Sequence, residues 1–398
     1  MTAYETAMEL GMAASIEKVQ SAGLMEYGIY RQPFAEQLQA SNKDARKTSA
    51  KTAVWAGLNN ADLEGVLLAL LRENPDKVFD GLKAAQYMVA ADSIILCLPA
   101  REKELIDEIT PKAEKEGIEV RADIVDVRKA TGDLIIHIAT AADLADLFTD
   151  QLEGGVYVSV DGKTVKKVPE DTKLSELFDF TGAKGVFTGY QYYKPEQAAE
   201  LTALDTLNGA VTILKDTDCI VDQTQKRLLK DREVSCGKCV FCREGLIQLE
   251  YEQKEITEAR GKADFKDLTE EIGTGMLDST LCSVGQYASK AALSAFDLFA
   301  DEYNAHIKDK KCPAGVCGSF SKIYIDPMTC TGCGDCLDVC PEDCIEGKPN
   351  FIHMIDEFDC TKCGKCIDAC EEGAIVRASG KLPKLPDRLT KVGRFRRR

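Results

Sequence analysis

With 398 residues, 44% of them apolar, the chain is long enough for two to four domains with buried cores. A formal net charge of -16 excludes a nucleic-acid surface over most of its length, and no apolar run reaches the roughly 18 residues that a membrane-spanning helix needs. The N-terminal MTAYETAMELGMAAS has no basic segment ahead of an apolar one, so a cytoplasmic location is expected; in a reducing compartment, 17 cysteines against three histidines read as metal ligands rather than disulfides.

The elements predict a multidomain chain of α/β plus α+β class. Residues 1–54 form a helix-prone segment interrupted by YRQPF. Residues 55–150 read as an α/β domain: helices broken at Pro75, a strand SIILCL at 93–98, a charged helix, then a second strand in IEVRADIV. Strand, helix, strand in that order predicts a parallel sheet unit, and no Gly-rich phosphate loop follows either strand. Residues 151–200 alternate with period two around the Asp161-Gly162 turn and then turn helical, the pattern of a small β-grasp module. Residues 201–308 are helical and carry SCGKCVFCREG at 235–245. Residues 309–380 are short-spaced and cysteine-dense. The tail, 381–398, holds eight Lys or Arg against one Asp after two prolines, which suits a solvated disordered end or a docking arm for an acidic partner subunit.

Two matching runs, CTGCGDCLDVCP from Cys330 and CTKCGKCIDACE from Cys360, have the C-x2-C-x2-C-x3-C spacing of bacterial two-cluster ferredoxins, in which the fourth cysteine crosses to the other cluster. One [4Fe-4S] cluster is therefore assigned to Cys330, Cys333, Cys336 and Cys370, and a second to Cys360, Cys363, Cys366 and Cys340. Pro341 follows the first run, and Glu371 takes the proline position of the second. Zinc sites do not repeat such an eight-cysteine pattern. The motif at 235–245 supplies Cys236, Cys239 and Cys242; the next cysteine, Cys282 in STLCSVGQ, is the fourth ligand that a cubane requires. A zinc ribbon is the alternative for that set.

SCGKC-x2-CR-x-G with a distant cysteine resembles the cluster motif of the NADH-binding flavoprotein subunit of respiratory complex I. With CPAGVC and a two-cluster ferredoxin following, the chain resembles more closely the β subunit of electron-bifurcating [FeFe] hydrogenases. Upstream, NADLEGVLLALLRENPDKVFDGL and VSVDGKTVKKVPEDTKLSEL are similar to that family's N-A-D-E stretch and its soluble-ligand-binding β-grasp (SLBB-like) module. The resemblance covers residues 55–375 and is specific in the cysteine motifs. It implies a structural zinc held by Cys219 in DTDCIVD, Cys312 and Cys317 in CPAGVC, and His353 in IHMID, a closed Cys3His set. Cys97, within an apolar strand, reads as a small core residue, and Cys344 as a buried free thiol.

The family's flavin elements are missing. Its phosphate loop of the form G-R-G-G-x-G-F-P has no counterpart in residues 1–60, and its acidic E-x-E-P-G is replaced around Leu63, Glu64, Gly65, Val66 and Leu67, although Asn60 and Asp62 persist. Its G-E-E-T-A and V-N-N-V-E-T segments give way to DLIIHIATAADLADLFTDQLEGG. The expectation is a degenerate flavoprotein-like domain that binds neither FMN nor NAD, with no independent catalytic site. The chain then acts as a relay holding three [4Fe-4S] clusters and a zinc, partnered by a flavin- and NAD(P)-binding subunit and by soluble ferredoxin. The alternative is an NADH-oxidising FMN flavoprotein that holds its cofactors by other residues, since hydride chemistry needs a flavin to split electron pairs for one-electron clusters.

Overall fold

The computed structural model describes residues 1–45, 47, 49–128, 131–379 and 382–396. The chain divides into two compact units, one of residues 1–215, 227–249 and 270–298, the other of residues 216–226, 250–269 and 299–398.

The first unit opens with α1 (Ala3–Leu10), α2 (Met12–Ser21) and α3 (Phe34–Ala45). Thr2 starts α1 through a capping box: its hydroxyl accepts from the Glu5 N–H, and the Glu5 carboxylate accepts from the Thr2 N–H. There follow β1 (Ala53–Gly57), α4 (Ala69–Glu73), α5 (Pro75–Val89), β2 (Ser93–Leu98), α6 (Lys103–Lys115), β3 (Ile118–Ala122), β4 (Leu134–His137) and α7 (Ile138–Phe148). Pro75 marks the break between α4 and α5 and opens the second of them. Its fixed φ suits the first helical position, and the Asn74 side chain accepts from the Lys77 N–H.

The four strands lie in the order β3-β2-β1-β4, all neighbours parallel, with Val54 opposite both Ile94 and Leu134. Strand periodicity sends Val54, Ala56, Ile94, Leu96, Leu98, Leu134 and Ile136 to one face, where α5, α6 and α7 bury them in the main core. Ala53, Ile95 and Cys97 face the other way into a small cluster with Val125, edged by Trp55 and Ile135. The close approach of α5 to α7 depends on Gly81, where a Cβ would stand 1.8 Å from the Ala141 carbonyl oxygen.

The chain continues through β5 (Val156–Val158), β6 (Lys166–Val168), α8 (Leu174–Leu177), β7 (Gly185–Thr188), β8 (Gln191–Tyr193), α9 (Pro195–Glu200) and β9 (Val211–Leu214). β5 and β6 pair antiparallel, and β7 lies between β8 and β9 in a second small sheet. This sheet runs past residue 200, where period-two alternation in the sequence gives no further strand. α10 (Ile220–Val234), α11 (Val240–Thr257), α12 (Phe265–Ser279) and α13 (Ser283–Leu298) follow. In the first unit Leu228, Leu246, Leu249, Met276, Val284, Ala288 and Ala292 form a core in which Cys242 and Cys282 are packed.

In the second unit α14 (Ala300–Ile307) precedes a two-fold repeat: β10 (Ser321–Ile325), α15 (Asp335–Asp338) and β11 (Ile345–Glu346), then β12 (Met354–Ile355), α16 (Lys365–Asp368) and β13 (Ile375–Ser379). β10 pairs antiparallel with β13, and β11 with β12. Equivalent hydrogen bonds recur in each half: the Cys330 and Cys360 amides donate to the Asp326 and Asp356 carbonyls, and the Asp326 and Asp356 amides donate to the Ala374 and Cys344 carbonyls. The tail is not wholly solvated among the described residues. The Ile352 amide donates to Thr390 O and the Val392 amide to Asn350 O, so the last residues are strapped to the segment between the two cysteine runs.

Candidate iron-sulfur and metal centres

Cys236 and Cys239 stand on the turn between α10 and α11, where Gly237 has φ +67°, and Cys242 lies in the first turn of α11. Cys282 immediately precedes α13 and accepts from the backbone N–H groups of Val284 and Gly285. Two long helices thus begin beside these thiols, and their partial positive charge favours thiolates. Gly285 is needed there, because a Cβ would meet the Thr280 side chain at 2.6 Å. Burial, together with Cys282, Cys239 and Cys236, pushes the Cys242 thiol up to about 11, against the lowering effect of the Ser235 hydroxyl 3.5 Å away. Four mutually repelling thiols with no other donor type fit a cation-rich cubane, which replaces their protons on binding. The Arg128 guanidinium stands 3.9 Å from Cys239 Sγ. Cys236 is exposed and Cys239 half-buried, next to exposed Val240, Phe241 and Leu281.

In the second unit the fourth cysteine of each run lies beside the first three of the other. Cys330, Cys333, Cys336 and Cys370 line one cavity, and Cys340, Cys360, Cys363 and Cys366 line another. Left-handed Gly334 and Gly364 start the short helices that turn Cys336 and Cys366 inward. Burial, then the neighbouring cysteines, pushes Cys336 up to about 12. Each cavity holds one further buried imidazole or thiol. His353 Nδ1 lies 3.8 Å from Cys330 Sγ, and Cys344 Sγ lies 3.4 Å from Cys340 Sγ.

That position corrects the zinc set. Cys219, Cys312 and Cys317 do converge, but the imidazole beside them is His306; the four ligand atoms all lie within 4.8 Å of one another and all four residues are buried. His306 Nε2 is 3.4 Å from Cys219 Sγ and 3.6 Å from Cys317 Sγ. Its Nδ1 is 2.8 Å from the Glu302 carbonyl oxygen, a contact that places the ring proton on Nδ1 and leaves Nε2 as the free donor pair. The His-x5-Cys-x4-Cys spacing from 306 to 317 is a usable signal in the sequence. His353 is held instead within the ferredoxin repeat. Hydrogen bonds donated to its two partner cysteines hold the Cys219 thiol well above its ordinary value, whereas Cys312, which accepts from Cys219 and Cys317, is held well below. Three soft donors and one imidazole, closed to water, suit tetrahedral zinc.

At the carboxyl ends of β1, β2 and β3 lies a cavity of about 430 Å³ whose lining includes Asn60, Asp62, Arg101, Lys230, Ser235 and Cys236. A neighbouring cavity of about 270 Å³ is lined by Glu26, Tyr27, Tyr30, Asn59, His137 and Ser283, among others. Asp62 is pushed up to about 7 by burial and then by Glu64. Glu64 itself is held low by the Arg227 guanidinium, against its own burial. His137 is buried and neutral, pushed down to about 3, with Nδ1 accepting from the Ala139 N–H. Glu26, also buried, accepts from the His137 amide. Cys97 is a packed core residue at the cavity edge.

Cysteine-only donor sets on helix starts and in a two-fold repeat define an iron-sulfur protein of electron transfer. More particularly, residues 206–306 match the NADH-ubiquinone oxidoreductase-F iron-sulfur binding region, and residues 322–371 match the 4Fe-4S dicluster domain. Over 146 residues the chain is 38% identical to the NADP-reducing hydrogenase subunit HndC of Solidesulfovibrio fructosivorans, covering 37% of this chain and 30% of that protein. It is 31% identical over 104 residues to an NADH-quinone oxidoreductase subunit of Mycobacterium tuberculosis, covering 26% of this chain and 23% of that one. The matched region thus spans less than a third of either relative. The fold is similar to crystal structures of NAD+-reducing [NiFe]-hydrogenase in the H2-reduced and air-oxidized states, with TM-scores of 0.61 and 0.63 at 16% identity, covering 76% of this chain and 64% of those chains. Among the described residues, no helix is long and apolar enough to cross a membrane.

Proposed function

We propose that the chain is an iron-sulfur relay subunit of an NAD(P)H- or ferredoxin-linked oxidoreductase complex, holding three [4Fe-4S] clusters and a structural zinc and lacking a flavin site of its own. The observation that carries this reading is the gathering of twelve cysteines into three cysteine-only sets, with Cys219, His306, Cys312 and Cys317 forming a separate fourth group. Bound clusters supply one-electron steps. The chain's own residues bury or half-bury most of the cysteines, aim amides at them and leave Cys236, Cys333 and Cys363 at the surface, where a partner carrying flavin or another cluster can approach.

The residues at the strand ends do not fit a flavin phosphate. The turn ahead of α3 presents Glu26, Tyr27 and Tyr30 to the cavity, so a phosphate dianion would meet a buried carboxylate and two rings in place of glycine amides. The 430 Å³ cavity reaching Cys236, with Arg101 and Lys230 in its wall, is the one observation that favours the second reading, a flavoprotein using unfamiliar residues. Anaerobic purification followed by metal, sulfide and acid-released flavin analysis separates the two. The relay requires about twelve irons and twelve sulfides per chain, with one zinc and no FMN. One FMN per chain would install the second reading.

A further inference from the structure

The two halves of the ferredoxin repeat are offset by 30 residues, so each lining position of one cluster cavity has a counterpart in the other. Ile325 matches Ile355, Thr331 matches Thr361, Glu372 matches Glu342 and Ile375 matches Ile345, and each lines its own cavity. Apart from two exposed pairs, Asp335 against Lys365 and Glu371 against Pro341, the correspondence fails at two buried pairs. His353 in the first cavity corresponds to Ile323 in the second, and Ala374 in the first corresponds to Cys344 in the second. Each cavity has therefore exchanged one apolar residue for a hydrogen-bond donor, and the two exchanges fall at different places.

Both donors are aimed at a ligand sulfur. His353 is 1% exposed, with Nδ1 3.8 Å from Cys330 Sγ, while its Nε2 is buried with no partner. Space for the ring is made at Gly347, where a Cβ would lie 1.6 Å from His353 Cδ2. The neighbouring Ile352 is fully buried and fastened by its amide to Thr390. Cys344 is buried, with Sγ 3.4 Å from Cys340 Sγ; once Cys340 is a metal-bound thiolate, only Cys344 retains a proton to donate. A hydrogen bond to cluster sulfur withdraws charge and favours the reduced state, which raises the potential.

We propose that His353 and Cys344 are potential-setting residues, one for each ferredoxin cluster, which make two clusters with identical ligand spacing inequivalent as electron carriers. The inference rests on the reading that this repeat holds two clusters.

Its test uses the intact chain, or the native complex, and replaces each donor by its counterpart in the other half, His353→Ile and Cys344→Ala, with His353→Gln and Cys344→Ser as donor-retaining controls. EPR-monitored redox titration should show His353→Ile shifting the first cluster alone to lower potential, by about the 59 mV that a tenfold change in the one-electron reduced-to-oxidised ratio represents. Cys344→Ala should shift the second cluster alone in the same direction by less, because a thiol is the weaker donor. The donor-retaining variants should stay near wild type. Unmoved potentials in both apolar variants, or equal shifts of both clusters in either one, overturn the proposal. So does loss of about four irons from both Cys344→Ala and Cys344→Ser, since Cys344 would then be a ligand. Iron and sulfide counts on the wild type distinguish this from failure of the underlying reading, which would show fewer than two clusters in the repeat.

Discussion

Around β1 and β4 the chain has a parallel sheet, its helices and a cavity at the strand ends lined by Glu26, Tyr27, Tyr30 and aliphatic residues. In the two-fold repeat the scaffold is short and irregular, with four-residue helices and two-residue strands, but four cysteines line each of its two cavities. A site made of backbone shape can be abolished by a few bulky or acidic residues while its fold stands. A site made of thiolates exists only if every ligand is present, and its surroundings can be almost any loop that gathers them. The fold and the chemistry of this molecule are therefore separable, and each can be disturbed without the other.

The largest effect is expected from Cys282→Ser. It should remove about four irons per chain and one reduced cubane signal from the EPR spectrum while leaving the ferredoxin signals; retention of every signal would break the ligand assignment. Next comes the Cys3His group. His306→Ala should lose the zinc measured by elemental analysis, whereas His353→Gln should keep it. Stripping a metal present at a thousandfold excess over its Kd should cost about 4 kcal/mol, a fall in Tm of about 8–16 °C by calorimetry.

Two buried carboxylates should make the stability respond to pH. Asp62 and Asp231 are both pushed up to about 7, in each case first by burial, from an ordinary value near 4. The folded state then binds more protons than the unfolded chain between those limits, so their contribution is fully present below about pH 4 and is lost as pH rises through 7. Denaturant unfolding of Asp62→Asn and Asp231→Asn should show a flatter stability profile over that window; an unchanged slope in both would remove buried carboxylates from the account. The smallest expected effect is that of Gly81→Ala. By crowding α5 against Ala141 it should cost about 1–3 kcal/mol in unfolding experiments and leave iron content unchanged.

What can be read from the sequence follows the same division. The cysteine sets are legible because their spacing is local and their chemistry lies in the side chains. His306 is easily missed in favour of His353, because its short spacing to Cys312 and Cys317 says nothing of Cys219, 87 residues upstream; only the fold shows that α14 turns its last residues toward Cys219. β1 and β4 escape a reading by pattern, since AVWAG and LIIH, five and four residues long, carry no periodicity of their own and acquire their identity from the neighbours they pair with. Pro75 is legible as punctuation but ambiguous in sense, since the same residue ends one helix and starts the next. The strap of the basic tail across residues 350–352 rests on backbone hydrogen bonds, to which side-chain composition is blind.

The Cys219 group has a consequence for the chain as a polymer. Cys219 lies far upstream of Cys312 and Cys317, yet their sulfurs meet in one buried site. An ion bound there turns the intervening stretch of about 90 residues into a closed ring, and cross-linking a ring of that size removes about 4–5 kcal/mol worth of freedom from the unfolded chain. The entire α10–α13 segment, with the cysteines from 236 to 282, lies inside that ring. Threading it through a narrow protease pore would require the metal to leave first, so the lifetime of the loop against degradation would be governed by the dissociation of a single ion.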